Sequence, residues 1–350
     1  MSEEIQNASG SGERRYDVVV VGGGAAGLSG ALTLGRARRS VLVVDAGRPR
    51  NAPAEHVHTY LTREGTSPSE LLETGRAEVA DYGGEIMTGE AVAAERLEDG
   101  GFRVVLADGS AVLARRLLVT TGLADGLPPV PGVRERWGRE VLHCPYCHGW
   151  EVRDQAVGVL ATGPMAVHQA LLWRQWTEKV TLFSHTAPEF GDEEYERLAA
   201  RVIRLATGEV TGLEIREDRL AGVRLEGGRF VPCQAVVVAP YLDARSGLLD
   251  SLGLESVEQE MSGHAFGRHI PSDAAGATSV RGVWVAGNVT DLTAQVIAAA
   301  AGGVRAGAAV NADLIAEETD HAVAAREELF SAQLEEEVCE GVLGDRRHGL

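Results

Sequence analysis

The sequence predicts an α/β protein made of two Rossmann-like dinucleotide-binding units, each a sheet with helices on both faces in three layers. Three observations carry that prediction. Near the N-terminus the apolar run Asp17-Val18-Val19-Val20-Val21 leads straight into Gly22-Gly23-Gly24-Ala25-Ala26-Gly27 and a helix-like stretch from Leu28 to Arg36. A second strand, Ser40 to Val44, then ends in Asp45. The same order returns later, with a strand from Gln155 to Ala161, the turn Thr162-Gly163-Pro164-Met165-Ala166, a helix from Val167 to Trp176 and a strand from Val180 to Phe183. A chain of 350 residues is longer than one core usually serves, and its 43 glycines suit a fold with many tight strand-to-helix turns.

In the first unit each part has a physical task. Gly22 permits the tight turn, Gly24 lets a pyrophosphate approach the backbone, and Gly27 lets the helix pack on the strand. Asp45 stands where a carboxylate accepts hydrogen bonds from a ribose, which argues against a 2′-phosphate there. Strand, glycines, helix and acid are in register, so the fingerprint reads as a dinucleotide site rather than a structural glycine-rich turn. Arg48-Pro49-Arg50-Asn51 and His56-Val57-His58 follow in a loop, each histidine open between a solvated and a functional role. Leu71, Leu72, Val79 and Tyr82 fit a helix over 69–82, with Ser67 or Ser69 near its cap. Short strands are expected at 85–87, 91–97, 102–106 and 111–113, separated by the turns Asp99-Gly100-Gly101 and Asp108-Gly109. A buried strand over 116–120 ends in Thr120-Thr121-Gly122, and the Pro- and Gly-rich stretch 123–132 reads as a linker.

The second unit is worn. Ala161 replaces the first glycine, Gly163 and Ala166 keep the other two positions, and Pro164 removes an N–H from the phosphate cradle. The stretch Ser184-His185-Thr186-Ala187-Pro188 offers neither a carboxylate for a ribose nor an arginine cluster for a 2′-phosphate. NAD(P)H binding is therefore doubtful, and a weak site and a purely structural domain both stay open. A hairpin is expected over 211–226, and Cys233 opens a buried strand to Ala239 as a core residue. Gly282 to Asn288 reads as a strand leaving the sheet. Thr293-Ala294-Gln295-Val296 opens a helix of small residues, 297–314, and an acidic helical stretch follows to about Val338, with Cys339 a bystander.

The chemistry sits in His143-Cys144-Pro145-Tyr146-Cys147-His148-Gly149-Trp150-Glu151. Two cysteines two residues apart close a small disulfide ring, and a helix N-terminus there stabilises the thiolate that attacks a disulfide or a flavin. A closed zinc site needs four ligands; the isolated Cys233 and Cys339 supply no second pair, although His143 and His148 could help complete one. Cys144-x-x-Cys147-His148 also matches a c-type haem attachment string, which goes with export. The polar, acidic start of the chain, with Gly10-Ser11-Gly12, reads as a disordered tail over 1–14 rather than a signal peptide. A net charge of −18 disfavours nucleic acid and anionic membranes, and no apolar run is long enough to span a bilayer. A cytoplasmic, reducing compartment is expected, where such a pair is more often catalytic than structural.

With these pieces together the chain resembles the low-molecular-weight thioredoxin reductase family of flavoproteins over roughly residues 15–316. Gly22-Gly23-Gly24-Ala25-Ala26-Gly27, Cys144-Pro145-Tyr146-Cys147, and Gly287-Asn288 with Thr293-Ala294-Gln295-Val296 carry the resemblance. It implies a discontinuous FAD domain, 15–123 and 242–316, with an NAD(P)-like domain over 124–241 inserted and carrying the cysteines. An acidic C-terminal helix and tail would occupy 317–350, and the protein would be a homodimer. It implies FAD contacts from Gly22, Gly24, Ala25, Ala26 and Gly27, from Asp45, Ala46, Arg50, Asn51, His58 and Val92, from Thr121 and Gly122, and from Gly287, Asn288, Ala294, Gln295 and Val296. By the same analogy Cys147 faces the flavin and Cys144 exchanges with substrate.

The departures sharpen the reading. Reductases of this family carry Asp after the second cysteine, where this chain has His148, and Asp where it has Asn288. The string Cys-Pro-Tyr-Cys-His-Gly-Trp-Glu is similar to the dithiol oxidase branch, enzymes that close disulfides in holomycin- and gliotoxin-type natural products. The resemblance thus implies electron flow from a small-molecule dithiol through Cys144–Cys147 to FAD and O2. The imidazole of His148, directly after Cys147, is expected to be the base, with His143 and His58 as rival bases and a role in hydrogen-bonding the loop as the alternative. The alternative is a reductase of a thioredoxin-like protein driven by NAD(P)H or another donor. A flavin-bound redox sensor without turnover is a third expectation.

Overall fold

Valines 18, 19 and 20 are wholly removed from solvent at the centre of the first sheet. A strand with no polar face is stable where both faces are covered, which is the setting of a parallel sheet between helices. The computed structural model describes residues 13–261, 263–329 and Val338. The tail expected over 1–14, up to residue 12, and Cys339 lie outside the described residues.

β1 (Arg15–Val21), β2 (Val41–Asp45), β3 (Glu85–Thr88), β4 (Ala91–Arg96), β5 (Phe102–Leu106) and β6 (Ala111–Val119) form the first sheet in the order β3-β2-β1-β6-β5-β4. The pairs among β1, β2, β3 and β6 are parallel, and β4 and β5 extend the sheet as antiparallel strands. α1 (Ala25–Arg36) crosses from β1 to β2. α2 (Pro68–Asp81) starts where Ser67 accepts a hydrogen bond from the Glu70 N–H, with Pro68 in the first turn.

The two strands expected at 111–113 and 116–120 are one nine-residue strand, β6. Arg115 and Arg116 interrupt its apolar pattern yet lie within it. Arg116 is only 4% exposed; its Nε donates to Asp313 at 2.5 Å and its Nη2 to Glu317 at 3.0 Å. A buried guanidinium is tolerable because both carboxylates meet it.

The stretch expected as a linker begins with a strand. β7 (Leu123–Gly126) leaves the first sheet, and its partner is β16 (Tyr241–Ala244), antiparallel, with Leu123 opposite Ala244. Leu123 is buried against Leu242 and Leu292, which is why this piece is ordered as a strand. Between the two crossings lies a second parallel sheet. Its strands are β8 (Val141–Leu142), β9 (Val157–Leu160), β10 (Val180–Phe183), β11 (Arg204–Ala206) and β15 (Ala235–Val237), in the order β11-β10-β9-β15-β8. The short α3 (Pro145–His148), α4 (Ala166–Trp173) and α5 (Asp192–Ala200) belong to this unit. β12 (Val210–Arg216), β13 (Arg219–Leu225) and β14 (Phe230–Pro232) make the hairpin sheet beside it.

After β16 come α6 (Gly247–Asp250), β17 (Val257–Met261) and β18 (His264–His269). No strand was expected at 257–269. Most of these side chains face water on both sides, so no alternation marks them. β19 (Val283–Val285) then returns to pair with β6.

α7 runs unbroken from Val296 to Leu329, through the boundary expected near residue 316. Nothing from Ala308 onward breaks it, as the stretch contains no glycine or proline. Ionic contacts hold it to the sheet: Glu317 meets Arg115 at 2.6 Å, and Glu318 meets Arg115 at 2.7 Å and Arg39 at 2.5 Å. Its first turns press on α1, where a Cβ on Gly303 would fall 1.9 Å from the Ala26 carbonyl oxygen. Among the described residues no helix is long and apolar enough to cross a membrane.

Candidate functional site

One cavity of about 1270 Å³ brings together nearly every residue singled out from the sequence. Of the residues assigned to the dithiol chemistry and the cofactor, only Gly27 does not line it. Gly27 works from behind: a Cβ there would lie 1.9 Å from the Gly22 carbonyl oxygen.

The cradle is built by β1, α1 and β2. Gly22 takes φ +109°, a conformation that glycine alone adopts without strain, and a Cβ on it would strike the Thr120 carbonyl oxygen at 2.5 Å. Thr120 Oγ1 in turn donates to the Gly22 carbonyl at 2.8 Å. Gly24 is the N-cap of α1, and a Cβ there would meet no protein atom within 4 Å. The turn is therefore tight against protein at Gly22 and open towards the cavity at Gly24, beside the free N–H groups of a twelve-residue helix.

Asp45 ends β2 on the rim of this cradle. Arg76 of α2 reaches it at 3.3 Å, and the Gly47 N–H donates to it at 3.2 Å. A Cβ on Gly23 would come 2.7 Å from the Asp45 carboxylate. Gly23 and Arg76 were not singled out from the sequence; Gly23 stood inside the fingerprint, whereas a partner 31 positions away leaves no local signal. The far wall comes from Gly287 and the start of α7, with Ala294, Gln295 and Val296 on the cavity. Asn288 is engaged locally, its amide donating to the carbonyls of Asp291 and Ala294 at 3.0 Å.

The cysteines enter the same cavity from the second unit. Cys144 is the N-cap of α3, and the N–H groups of Cys147 and His148 both donate to its carbonyl at 3.2 Å. The two thiols are unbridged. A hydrogen bond from the Cys147 thiol is the main cause that lowers the Cys144 pKa to about 7. The backbone N–H groups of Cys147 and Tyr146 and the Arg50 guanidinium act in the same direction, and burial opposes them. Cys147 is pushed strongly up, because it donates that hydrogen bond and is itself buried. The reduced pair thus holds one proton on Cys147 and readily sheds the other from Cys144.

Arg50 has a second role that its position in the sequence did not show. Its Nε and Nη2 donate to the two Asp125 oxygens at 2.8 and 2.5 Å, which fixes the guanidinium against β7. This is a forked pair, the geometry that guanidinium and carboxylate favour.

Three imidazoles surround the dithiol. His148 lies below the ordinary histidine pKa because it is buried; Glu151 pulls the other way, and His58 lowers it further. His143 is also depressed, first by burial and then by Arg50. Both are neutral near pH 7 and able to accept a proton. His58 stands between carboxylates, its Nδ1 2.6 Å from Glu64 and its Nε2 3.4 Å from Glu151. Among the described residues no three His, Cys, Asp or Glu side chains form a metal-holding group.

The second unit's turn opens into this same cavity at Thr162, Gly163 and Met165. Ser184 stands where Asp45 stands in the first unit, and its hydroxyl accepts the Gly208 N–H at 3.2 Å; its neighbour His185 lines a smaller cavity of about 380 Å³, and its Nδ1 accepts the Val210 N–H at 3.1 Å. Val92, Ala46, Asn51, Thr121 and Gly122 complete the wall around the first cradle. FAD, the cofactor implied by the resemblance, fits these residues on two counts. A side chain at Gly24 would enter the open cradle, and the N-termini of α1 and α7 both face the space.

Comparison with known proteins agrees with this arrangement. A sequence model described as pyridine nucleotide-disulphide oxidoreductase matches residues 16–307. Thioredoxin reductase tcpT of Claviceps purpurea is 32% identical over 319 residues, covering 86% of this chain and 95% of that protein. Thioredoxin reductase sirT of Leptosphaeria maculans is also 32% identical, covering 85% of this chain and 93% of its own length. The crystal structure of HlmI superposes with a TM-score of 0.84 at 46% identity, covering 93% of this chain and all of that one.

Proposed function

The chain belongs to the pyridine nucleotide-disulphide oxidoreductase family and is an oxidoreductase of the thioredoxin reductase type, and from that premise we propose that it is an FAD-dependent dithiol oxidase. A small-molecule dithiol reduces the Cys144–Cys147 disulfide. The Gly22–Gly27 cradle would hold FAD, which would supply the two-electron acceptor for the dithiol and the outlet to O2. The observation that carries the reading is that dithiol and cradle line one cavity. The worn second unit supports it: Ala161 and Pro164 occupy the phosphate turn, and His185 is tied to the backbone of β12.

The protein's own groups handle the protons. His148 takes the proton of the incoming thiol, whose ordinary pKa of about 8.5 leaves it mostly protonated at neutrality. Cys144, as the better thiolate, leaves readily when the second substrate thiol closes the substrate disulfide. His148→Ala should slow reduction of the disulfide by dithiothreitol at least about tenfold at pH 7 with FAD content unchanged. Alkaline buffer should restore part of the rate by ionising the substrate thiol. A variant within twofold of wild type at pH 7 removes His148 from the mechanism.

A second reading is favoured by the names of tcpT and sirT, both thioredoxin reductases. Tyr146 and Trp150, 56% and 65% exposed beside the dithiol, would give a partner protein an apolar landing place. Anaerobic stopped-flow with dithiothreitol and with NADPH separates the two. Rapid bleaching of the flavin by dithiol and slow bleaching by NADPH is the expected result; rapid bleaching by modest NADPH overturns the oxidase assignment.

We further propose a homodimer in a reducing cytoplasm. Ile297, Val304 and Ile315 are exposed at spacings of 7 and 11 residues, which puts them on one face of α7.

A further inference from the structure

The loop that follows Asn51 is built with more constraint than a solvated connection needs. Val57 and Thr66 bridge it, the Val57 N–H donating to Thr66 at 2.8 Å and the Gly65 N–H to Val57 at 2.9 Å. Thr59 and Thr62 both take positive φ, 58° and 75°, which costs non-glycine residues energy. Thr59 uses that conformation twice. Its N–H holds Glu64 Oε2 at 2.8 Å, and its hydroxyl donates to Gln295 at 2.9 Å. The result is a fixed Glu64 carboxylate 2.6 Å from His58 Nδ1, so that a proton lies between them and Nε2 faces Glu151. His58 itself lines the cavity and is 17% exposed, whereas Glu64 and Glu151 are 63% and 40% exposed.

This matters for the proton count. In the exchange, a substrate thiol gives up its proton and attacks the Cys144–Cys147 disulfide. The enzyme S–S bond breaks, and Cys147 leaves and takes up one proton. The second substrate thiol gives up its proton and attacks the first substrate sulfur, closing the substrate disulfide and releasing Cys144. Two electrons have moved to the enzyme pair. One proton rests on Cys147, and the other has no place among the sulfurs while Cys144 is a thiolate. His148 is buried and keeps a proton poorly.

We propose that His58 is the proton outlet of the dithiol site, passing the released proton from the cavity to Glu64 and Glu151 and so to water. The groups that face it are those two carboxylates, His148 on the same cavity and His56 at 6.0 Å on its own loop. His58 acts through His148, and it is a positioning and relay residue. The proposal rests on the dithiol–disulfide reading above.

The test mixes oxidised holoenzyme anaerobically with dithiothreitol in dilute buffer containing phenol red, following proton release by colour and the disulfide by thiol trapping. In wild type, protons and trapped thiols should appear together. His58→Gln should slow both about tenfold, and added imidazole should restore the rate as its concentration rises. Glu64→Gln, at an exposed carboxylate, should act in the same direction with the same buffer dependence. It also keeps the proposal open to refutation if His58→Gln does not fold. A His58→Gln protein at wild-type rate in dilute buffer overturns the relay. So does one that stays slow at every buffer concentration, since that is a structural defect. A wild-type disulfide that dithiothreitol does not reduce overturns the dithiol reading itself, and the relay with it.

Discussion

A Gly24→Val protein should fold, unfold at close to the wild-type temperature and hold less than a tenth of the wild-type FAD. The argument rests on where the new atoms would go. A Cβ on Gly24 meets no protein atom within 4 Å, so valine costs the fold no clash. The backbone there is extended, φ −81° and ψ −173°, which a branched residue adopts freely. Valine is a poorer N-cap than glycine, a loss of at most about 1 kcal/mol, or a few degrees in Tm for a chain of this size. The same methyl groups would fill the open side of the turn, where a pyrophosphate must reach the helix N–H groups. Gly27→Val is the contrasting control. There the Cβ would sit 1.9 Å from the Gly22 carbonyl oxygen, so the turn itself fails. Flavin absorbance per chain and a melting curve separate the two. Full FAD in a folded Gly24→Val protein would remove the cradle from the cofactor site.

How much of this was legible in the sequence depended on distance along the chain. The first fingerprint was readable because strand, glycines, helix and acid are contiguous and each has one physical task. The dithiol was readable because its ring closes over four residues. β6 was split because Arg115 and Arg116 look like a break; their partners, Asp313, Glu317 and Glu318, lie some 200 residues away on α7. β7 was taken for a linker because its pairing with β16 spans more than a hundred residues. Arg50 was placed among the cofactor contacts by resemblance, and only the structure shows its fork onto Asp125 and its favourable charge near Cys144. His58 is the clearest case. Its two carboxylates come from six residues away and from the far side of the cysteine loop, and no periodicity joins them.

Cys144→Ser and Cys147→Ser should each lower dithiol turnover by at least about 10³-fold, since neither can form the disulfide that receives the electrons. The two thiols left behind should differ. In Cys147→Ser, Cys144 keeps its place at the α3 N-terminus, the backbone N–H groups and Arg50. It loses the Cys147 thiol as donor, but the serine hydroxyl can still donate, so its thiolate persists near neutrality. Cys147→Ala removes the donor altogether, and the Cys144 pKa should rise from about 7 towards the ordinary thiol value. At pH 7 a thiol of pKa 7 is about half ionised, and one at about 8.5 only about 3%. The thiolate of higher pKa is more nucleophilic, so alkylation by iodoacetamide should fall only about threefold at pH 7. The midpoint of its pH profile should nonetheless move up by more than a unit. In Cys144→Ser the remaining Cys147 is buried, and burial disfavours its thiolate, so it should resist alkylation until the buffer is alkaline. Faster alkylation at pH 7 of Cys147 in Cys144→Ser than of Cys144 in Cys147→Ser would reverse the assignment, making Cys147 the thiol that exchanges with substrate.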